Sequence, residues 1–214
     1  MNKSGKKRFL DTIKEHILNN KKEYIIVSLI FVIGIFLGVM LINNTKEAEY
    51  DSLKNYIVDF MSKFKDMQEL DNLSLLKKSI LNNVILAVLI WFFGTTVIGI
   101  PIVFGIVLYR GFCLGYTISS FISVLGMQKG IGFVFSSLFL QNILFIPAII
   151  AIAVSGFKLY KSITKDRRKD NIKLEIIRHI IFSLIMLAIL CLSSVIEIFI
   201  SNNILKSLIN YFII

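Results

Sequence analysis

Chemistry needs titratable, nucleophilic or metal-binding side chains held close together, and this sequence scatters them. Its two cysteines, Cys113 and Cys191, each sit inside an apolar run, which excludes a disulfide-stapled secreted fold and a cysteine-built zinc site. Its two histidines, His16 and His179, lie far apart in basic stretches, so a histidine-built metal site is not expected. There is no glycine-rich phosphate loop, metal-ligand cluster, nucleophile elbow or carboxylate pair. Past Arg178 and His179 at the start of the last run, two ionisable residues stand out inside the long apolar runs, Arg110 and Glu197. Glu197 falls about 20 residues into the last run, close to one bilayer face, where an acid costs little. Arg110 has no acid at its depth, which makes a poor proton relay or ion pathway. The expectation is therefore no catalytic residue, no metal and no cofactor.

The elements that would position these residues follow from composition. The chain has 214 residues, is 56% hydrophobic, and carries a formal net charge of +10. With a mean hydropathy of +0.76, this is an integral membrane protein with basic flanks. A helix needs about 20 apolar residues to cross the roughly 30 Å hydrocarbon core. Residues 25–42 form the first such run, with no small-x-small cleavage site at its end, and read as an uncleaved signal-anchor helix. The stretch 80–126 is too long for one crossing and must fold back. A turn at Gly99-Ile100-Pro101 gives spans 80–98 and 101–126; a turn at Arg110-Gly111 is the alternative, and the lengths favour the first. In the first case Arg110 lies about 14 Å deep, where an unpaired charge costs at least about 2.5–3.5 kcal/mol. In the second it is one more positive charge at the membrane surface. Residues 131–157, which carry Pro147, and 177–200 complete five spans, and 201–214 form a short apolar tail. The fold class is thus all-α, a polytopic membrane helix bundle forming a single domain.

Basic residues set the orientation. Segments 1–24 and 158–178, with Arg110, hold sixteen Lys and Arg; the opposite side holds eight, in 43–79 and at Lys129 and Lys206. The positive-inside rule then places the N-terminus in the cytoplasm and the C-terminus outside. Phe9, Leu10, Ile13 and Ile17 among lysines suggest a basic amphipathic helix on an anionic leaflet. The run Lys165-Asp166-Arg167-Arg168-Lys169 lacks aromatic interleaving and is a topology signal, with no nucleic acid implied. In the external segment 43–79, Leu53, Tyr56, Ile57, Phe60, Met61, Phe64, Met67 and Leu70 form one apolar stripe of an amphipathic helix. Bilayer, bundle or partner must cover it, and Tyr56, Phe60 and Phe64 are the candidate partner-binding aromatics. Gly34-x-x-x-Gly38, then Gly111-x-x-x-Gly115-x-x-x-Ser119, and the small residues Ala148, Ala151 and Ser155 around Pro147 are candidate helix-packing faces, within the chain or in a homo-oligomer.

Several of these landmarks occur together in an order that is familiar. Leu81-Asn82-Asn83-Val84 precedes Gly94 and Gly99; Leu108-Tyr109-Arg110-Gly111-Phe112-Cys113-Leu114-Gly115 follows; then comes Leu140-Gln141-Asn142-Ile143-Leu144-Phe145-Ile146-Pro147-Ala148. The chain resembles the stage II sporulation protein M family over almost its whole length, and Asn82, Asn83, Arg110 and Pro147 join the candidate packing residues on that ground. It departs from the family pattern in two places. Arg110-Gly111 stands where Asn-Gly is usual, and Gln141-Asn142-Ile143-Leu144-Phe145 where a His-Gly-x-x-Glu run is usual. Losing that histidine and glutamate removes the best candidates for intramembrane chemistry. The resemblance implies a role in forespore engulfment, at the sporulation septum and the engulfing membrane. There the protein would act as a non-enzymatic scaffold that localises two membrane-anchored peptidoglycan-degrading partners, sporulation proteins D and P. The alternative is a transporter or permease subunit, which should show polar residues converging near the midplane and often an internal repeat. The sequence shows one arginine and no clear repeat, which favours the scaffold.

Overall fold

The computed structural model describes residues 17–66, 72–165 and 169–201, and among them every regular element is helical. Six helices follow one another: α1 (Lys21–Asn43), α2 (Glu47–Asp66), α3 (Asn72–Gly94), α4 (Ile100–Leu125), α5 (Met127–Lys165) and α6 (Lys169–Ile196). A π-helical turn, Glu197–Ser201, ends the described chain. Five helical segments are long and apolar enough to cross a membrane: Lys21–Asn43, Asn72–Gly94, Ile100–Leu125, Gln141–Thr164 and Ile172–Ile200. At 1.5 Å per residue, the 23 residues of α1 reach about 35 Å, enough for the hydrocarbon core.

The ends of these helices are written in their side chains. The last carbonyls of α1 have no partner within the helix, and polar residues just beyond it supply donors. Asn44 donates its Nδ2–H to the Met40 carbonyl at 2.8 Å, and the Thr45 hydroxyl donates to Leu41 at 2.9 Å. At the end of α3, the Thr95 and Thr96 hydroxyls donate to the carbonyls of Phe92 and Phe93. The chain then turns through Gly99 into α4, whose first turn holds Pro101, a residue with no N–H to leave unsatisfied. Gly99 is obligatory here, because a Cβ would fall on the Phe93 carbonyl oxygen. The turn between the second and third spans is therefore at 95–99, and Arg110 lies inside α4. Moving Arg110 out of the basic surface leaves fifteen Lys and Arg against eight, so the charge asymmetry survives.

At the other end Gly126, at φ +81°, passes α4 directly into α5. With 39 residues, α5 is about 58 Å long, far longer than one crossing requires. The expected fourth span lies inside it, and residues 158–165 extend the same helix. Pro147 is exposed on its flank, and the helix continues past it for five turns. From Ala148 to Gly156 every residue of α5 is buried, so this helix is the axis around which α1, α3, α4 and α6 pack.

Lipid is as apolar as leucine, so close approach and interhelical hydrogen bonds hold such a bundle together. The two glycine pairs meet each other. A Cβ on Gly34 would fall on the Leu108 carbonyl oxygen and one on Gly38 on that of Phe112; reciprocally, Gly111 faces Phe31 and Gly115 faces Ile35. Helices α1 and α4 thus cross backbone to backbone. A second close approach joins α3 to α5, where Gly94 and Gly156 touch. Ion pairs link α1, α5 and α6 at the same end as the 95–99 turn. Lys161 binds Glu23 at 2.6 Å, and Lys158 binds Glu175 at 3.2 Å. Helix α2 lies at the opposite end. Ile57 and Met61 are buried against Phe133, with Leu53, Phe60, Phe121, Val124 and Leu125 around them, and the Tyr50 hydroxyl donates to the Ser123 carbonyl at 2.9 Å. The amphipathic stripe is therefore covered in part by the protein's own bundle.

Candidate functional site, a polar cavity within the bundle

Between α3, α4 and α5 lies an open cavity of about 690 Å³. Each helix contributes a stripe at spacings of three and four. Lys78, Ser79, Asn82, Asn83, Leu86 and Leu89 come from α3; Arg110, Cys113, Leu114 and Thr117 from α4; Leu138, Gln141, Asn142 and Phe145 from α5. Phe60 of α2 and Glu197, Ile198 of the π-helical turn close its end nearest α2. This i, i+3, i+4, i+7 pattern puts one face of each helix on a common space.

The depth of the cavity can be counted along the helices. Arg110 is ten residues from the start of α4, about 15 Å, and Asn83 is eleven residues from the end of α3, about 16 Å. Gly156 touches Gly94, so Phe145, eleven residues before it on α5, lies at the same level. All three stand near the middle of a roughly 30 Å core. The geometry agrees, for the Arg110 guanidinium lies over the Phe145 ring at 5.5 Å from its centroid. A cation over an aromatic face gains about 0.5–2 kcal/mol, which offsets part of the cost of holding it at this depth.

Around Arg110 the polar groups divide into those already bonded and those facing the space. Asn83, buried, donates from Nδ2 to the Ser194 hydroxyl at 2.8 Å and to the Leu190 carbonyl at 3.3 Å, which ties α3 to α6. Ser193 donates to the Gln141 carbonyl at 3.0 Å, tying α6 to α5. Asn142 donates to Leu138 at 2.8 Å and Thr117 to Cys113 at 2.8 Å, each within its own helix. At the end nearest α2 the Ser79 hydroxyl donates to the Glu197 carboxylate at 2.5 Å. No hydrogen bond of the Asn82 or Gln141 side chain occurs among the described residues.

The sequence-derived candidates fall in different places. Arg110, Asn82 and Asn83 join the cavity, Asn82 at its exposed rim. Gly111 and Gly115 lie on the other face of α4, against α1, with Gly34 and Gly38 opposite. Tyr56 is 69% exposed, whereas Phe60 is half-buried on the cavity and the small hydrophobic cluster beneath α2. The Phe64 side chain, Met67, Leu70, the apolar residues 9–13 and the tail 202–214 lie outside the described residues.

One feature corrects the sequence reading and a second adds to it. Polar residues do converge: Asn82, Asn83 and Arg110 at mid-depth share one cavity with Asn142, Gln141 and Thr117, which lie progressively nearer the α2 end. Their signal was present as polar positions at helical spacing on three spans of matched depth. His179, which follows Arg178 in a basic stretch of the sequence, is buried in the bundle. It is 1% exposed, with Nδ1 at 2.9 Å from the Ser155 hydroxyl and Nε2 at 3.4 Å from the Trp91 carbonyl.

A search of known proteins gives one line of kinship. The family model of stage II sporulation protein M matches residues 27–202, which takes in four of the described spans whole and most of the first. No curated protein and no solved structure matches the chain. The chain belongs to the stage II sporulation protein M family and is a sporulation-related multi-pass membrane protein.

Proposed function

We propose that this protein is a non-enzymatic membrane scaffold of engulfment, which holds peptidoglycan hydrolases, sporulation proteins D and P, at the septum and the engulfing membrane. The observation that carries the reading is the family match across 27–202, which takes in the spans and α2 together. Charge sorting supports an orientation in which the end bearing Glu23, Lys158 and Lys161 faces the cytoplasm and α2 faces outward. Helix α2 is then on the side of the membrane where cell wall is degraded. It is anchored through Ile57 and Met61, and Tyr56 is left exposed beside them. An exposed aromatic on an anchored helix suits a partner's pocket, because buried aromatics dominate binding energy at interfaces.

Crosslinking in sporulating cells, followed by purification of the tagged full chain, tests the reading. Both hydrolases should travel with the wild-type protein and be depleted with Tyr56→Ser at equal membrane abundance. A second reading, a transporter or permease subunit, is favoured by the mid-depth polar cavity. Recovery of an ATPase or permease subunit in place of the hydrolases would overturn the scaffold and support it.

A further inference from the structure

The chemistry of the cavity is not used by a scaffold. We infer that it is a lateral binding site for a lipid phosphodiester, the phosphate pairing with Arg110 and an acyl chain lying along Ile85 and Leu89. Four observations carry this.

The first is the arginine itself. It stands at mid-depth over the Phe145 ring, which orients the guanidinium but supplies no counter-charge. Among the described residues no carboxylate lies within ion-pair distance of it. A guanidinium presents a planar fork of donors matched to phosphate oxygens, and in a low-dielectric site it gains most from an anion. The second is the company it keeps. The amides of Asn82 and Gln141 line the same space and can donate to the remaining phosphate oxygens.

The third is the shape and polarity of the opening. At about 690 Å³ the cavity is within the range of small-molecule sites and much larger than a bare ion needs. On its α3 side it is bounded by Ile85 and Leu89, 49% and 41% exposed in the apolar part of a span, where acyl chains lie. A site with an arginine at its depth and, beside Asn82, the apolar Ile85 and Leu89 along its lipid-facing edge suits an amphiphile rather than a water-soluble anion. The fourth is the charge balance. The cavity holds two cations, Lys78 and Arg110, and one carboxylate, Glu197, which is occupied by the Ser79 hydroxyl at the end nearest α2. A net single positive charge matches a phosphodiester, which carries one negative charge, better than a doubly charged phosphomonoester. It also favours an anionic headgroup such as phosphatidylglycerol over a zwitterionic one.

Native mass spectrometry of the purified full-length chain, titrated separately with phosphatidylglycerol, phosphatidylethanolamine and inorganic phosphate, tests the assignment. Wild type should retain one phosphatidylglycerol, with at least tenfold preference over phosphatidylethanolamine and no inorganic-phosphate adduct. Arg110→Gln should lose that retention tenfold or more, and Arg110→Lys should keep part of it. If Arg110→Gln does not fold, Leu89→Trp, at an exposed rim position, obstructs the opening and must lower retention as well. Equal retention by wild type and Arg110→Gln, or by wild type and Leu89→Trp, overturns the site. Equal binding of the two lipids overturns the phosphodiester charge match. Displacement of the lipid by inorganic phosphate makes it a soluble-anion site and overturns the lipid assignment.

Discussion

The crossing of α1 and α4 makes a sharp energetic prediction, because glycines on the same helix meet opposite surroundings. Alanine at Gly111 would put its Cβ on the carbonyl oxygen of Phe31, and alanine at Gly115 on that of Ile35. These obstacles are backbone and cannot rotate aside, so α1 and α4 must part by on the order of 1 Å. A gap of that size forfeits up to about half of the dispersion energy of each contact beside it. Over-packing usually costs about 1–3 kcal/mol, and the rigidity of both partners places Gly111→Ala in the upper half of that range, about 2–3 kcal/mol. A loss of 2 kcal/mol is about a 30-fold drop in the folding equilibrium. Gly105, one and a half turns earlier on α4, has nothing within 4 Å of a Cβ, so Gly105→Ala should be neutral or stabilising by up to about 1 kcal/mol. Unfolding equilibria of the purified proteins in mixed micelles, read by steric trapping, would measure both. The double variant Gly34→Ala/Gly111→Ala should cost less than the sum of its parts, because separation forced by one clash relieves the other. If Gly111→Ala and Gly105→Ala prove equally stable, α1 and α4 do not cross on these glycines and the packing account fails.

Other expectations follow from single contacts. Asn83→Ala removes two bonds from α3 to α6, each worth about 0.6 kcal/mol on average in membranes, so it should destabilise by about 1–2 kcal/mol in the same assay. Glu23→Gln should weaken the junction of α1 and α5, and a double-mutant cycle with Lys161→Met should show coupling that shrinks in high salt; coupling indifferent to salt would argue against an ion pair there. In a cysteine-free background, Ser52→Cys on α2 should react with impermeant thiol reagents in intact cells, while Ser162→Cys should be protected until permeabilisation. The reverse pattern would invert the topology.

The five spans were legible because each is long and apolar in one continuous run. Likewise, Gly99 and Pro101 announced a turn through chemistry that a helix interior resists. Glycine spacing announced close packing without naming the opposite helix, since any helix can approach a small face; the structure pairs Gly34 and Gly38 with Gly111 and Gly115. What stayed hidden depended on rotation about the helix axes. Asn82, Arg110 and Gln141 are isolated polar residues in three separate spans, and they share a cavity only because the axial helix α5 fixes how α3 and α4 face it. The burial of His179 was hidden for a similar reason. Its neighbours in sequence are charged, but its neighbours in space are Ser155, Gly94 and the Trp91 carbonyl, on two other helices. The amphipathic helix was legible as a period. How its stripe is shared between the bundle and the outside, with Ile57 buried and Tyr56 exposed, was not.

The central claim, that this chain localises wall hydrolases, is tested most directly by imaging fluorescent fusions of sporulation proteins D and P in sporulating cells. The cells would carry the wild-type chain, no chain, or Tyr56→Ser at matched membrane abundance. Tyr56 is the clean probe, because Phe60 also packs on the bundle and its loss would loosen α2 itself. The account predicts both fusions at the septum with wild type, dispersed over the membrane without the chain, and largely dispersed with Tyr56→Ser. Fusions that reach the septum as well without the chain as with it would contradict the claim.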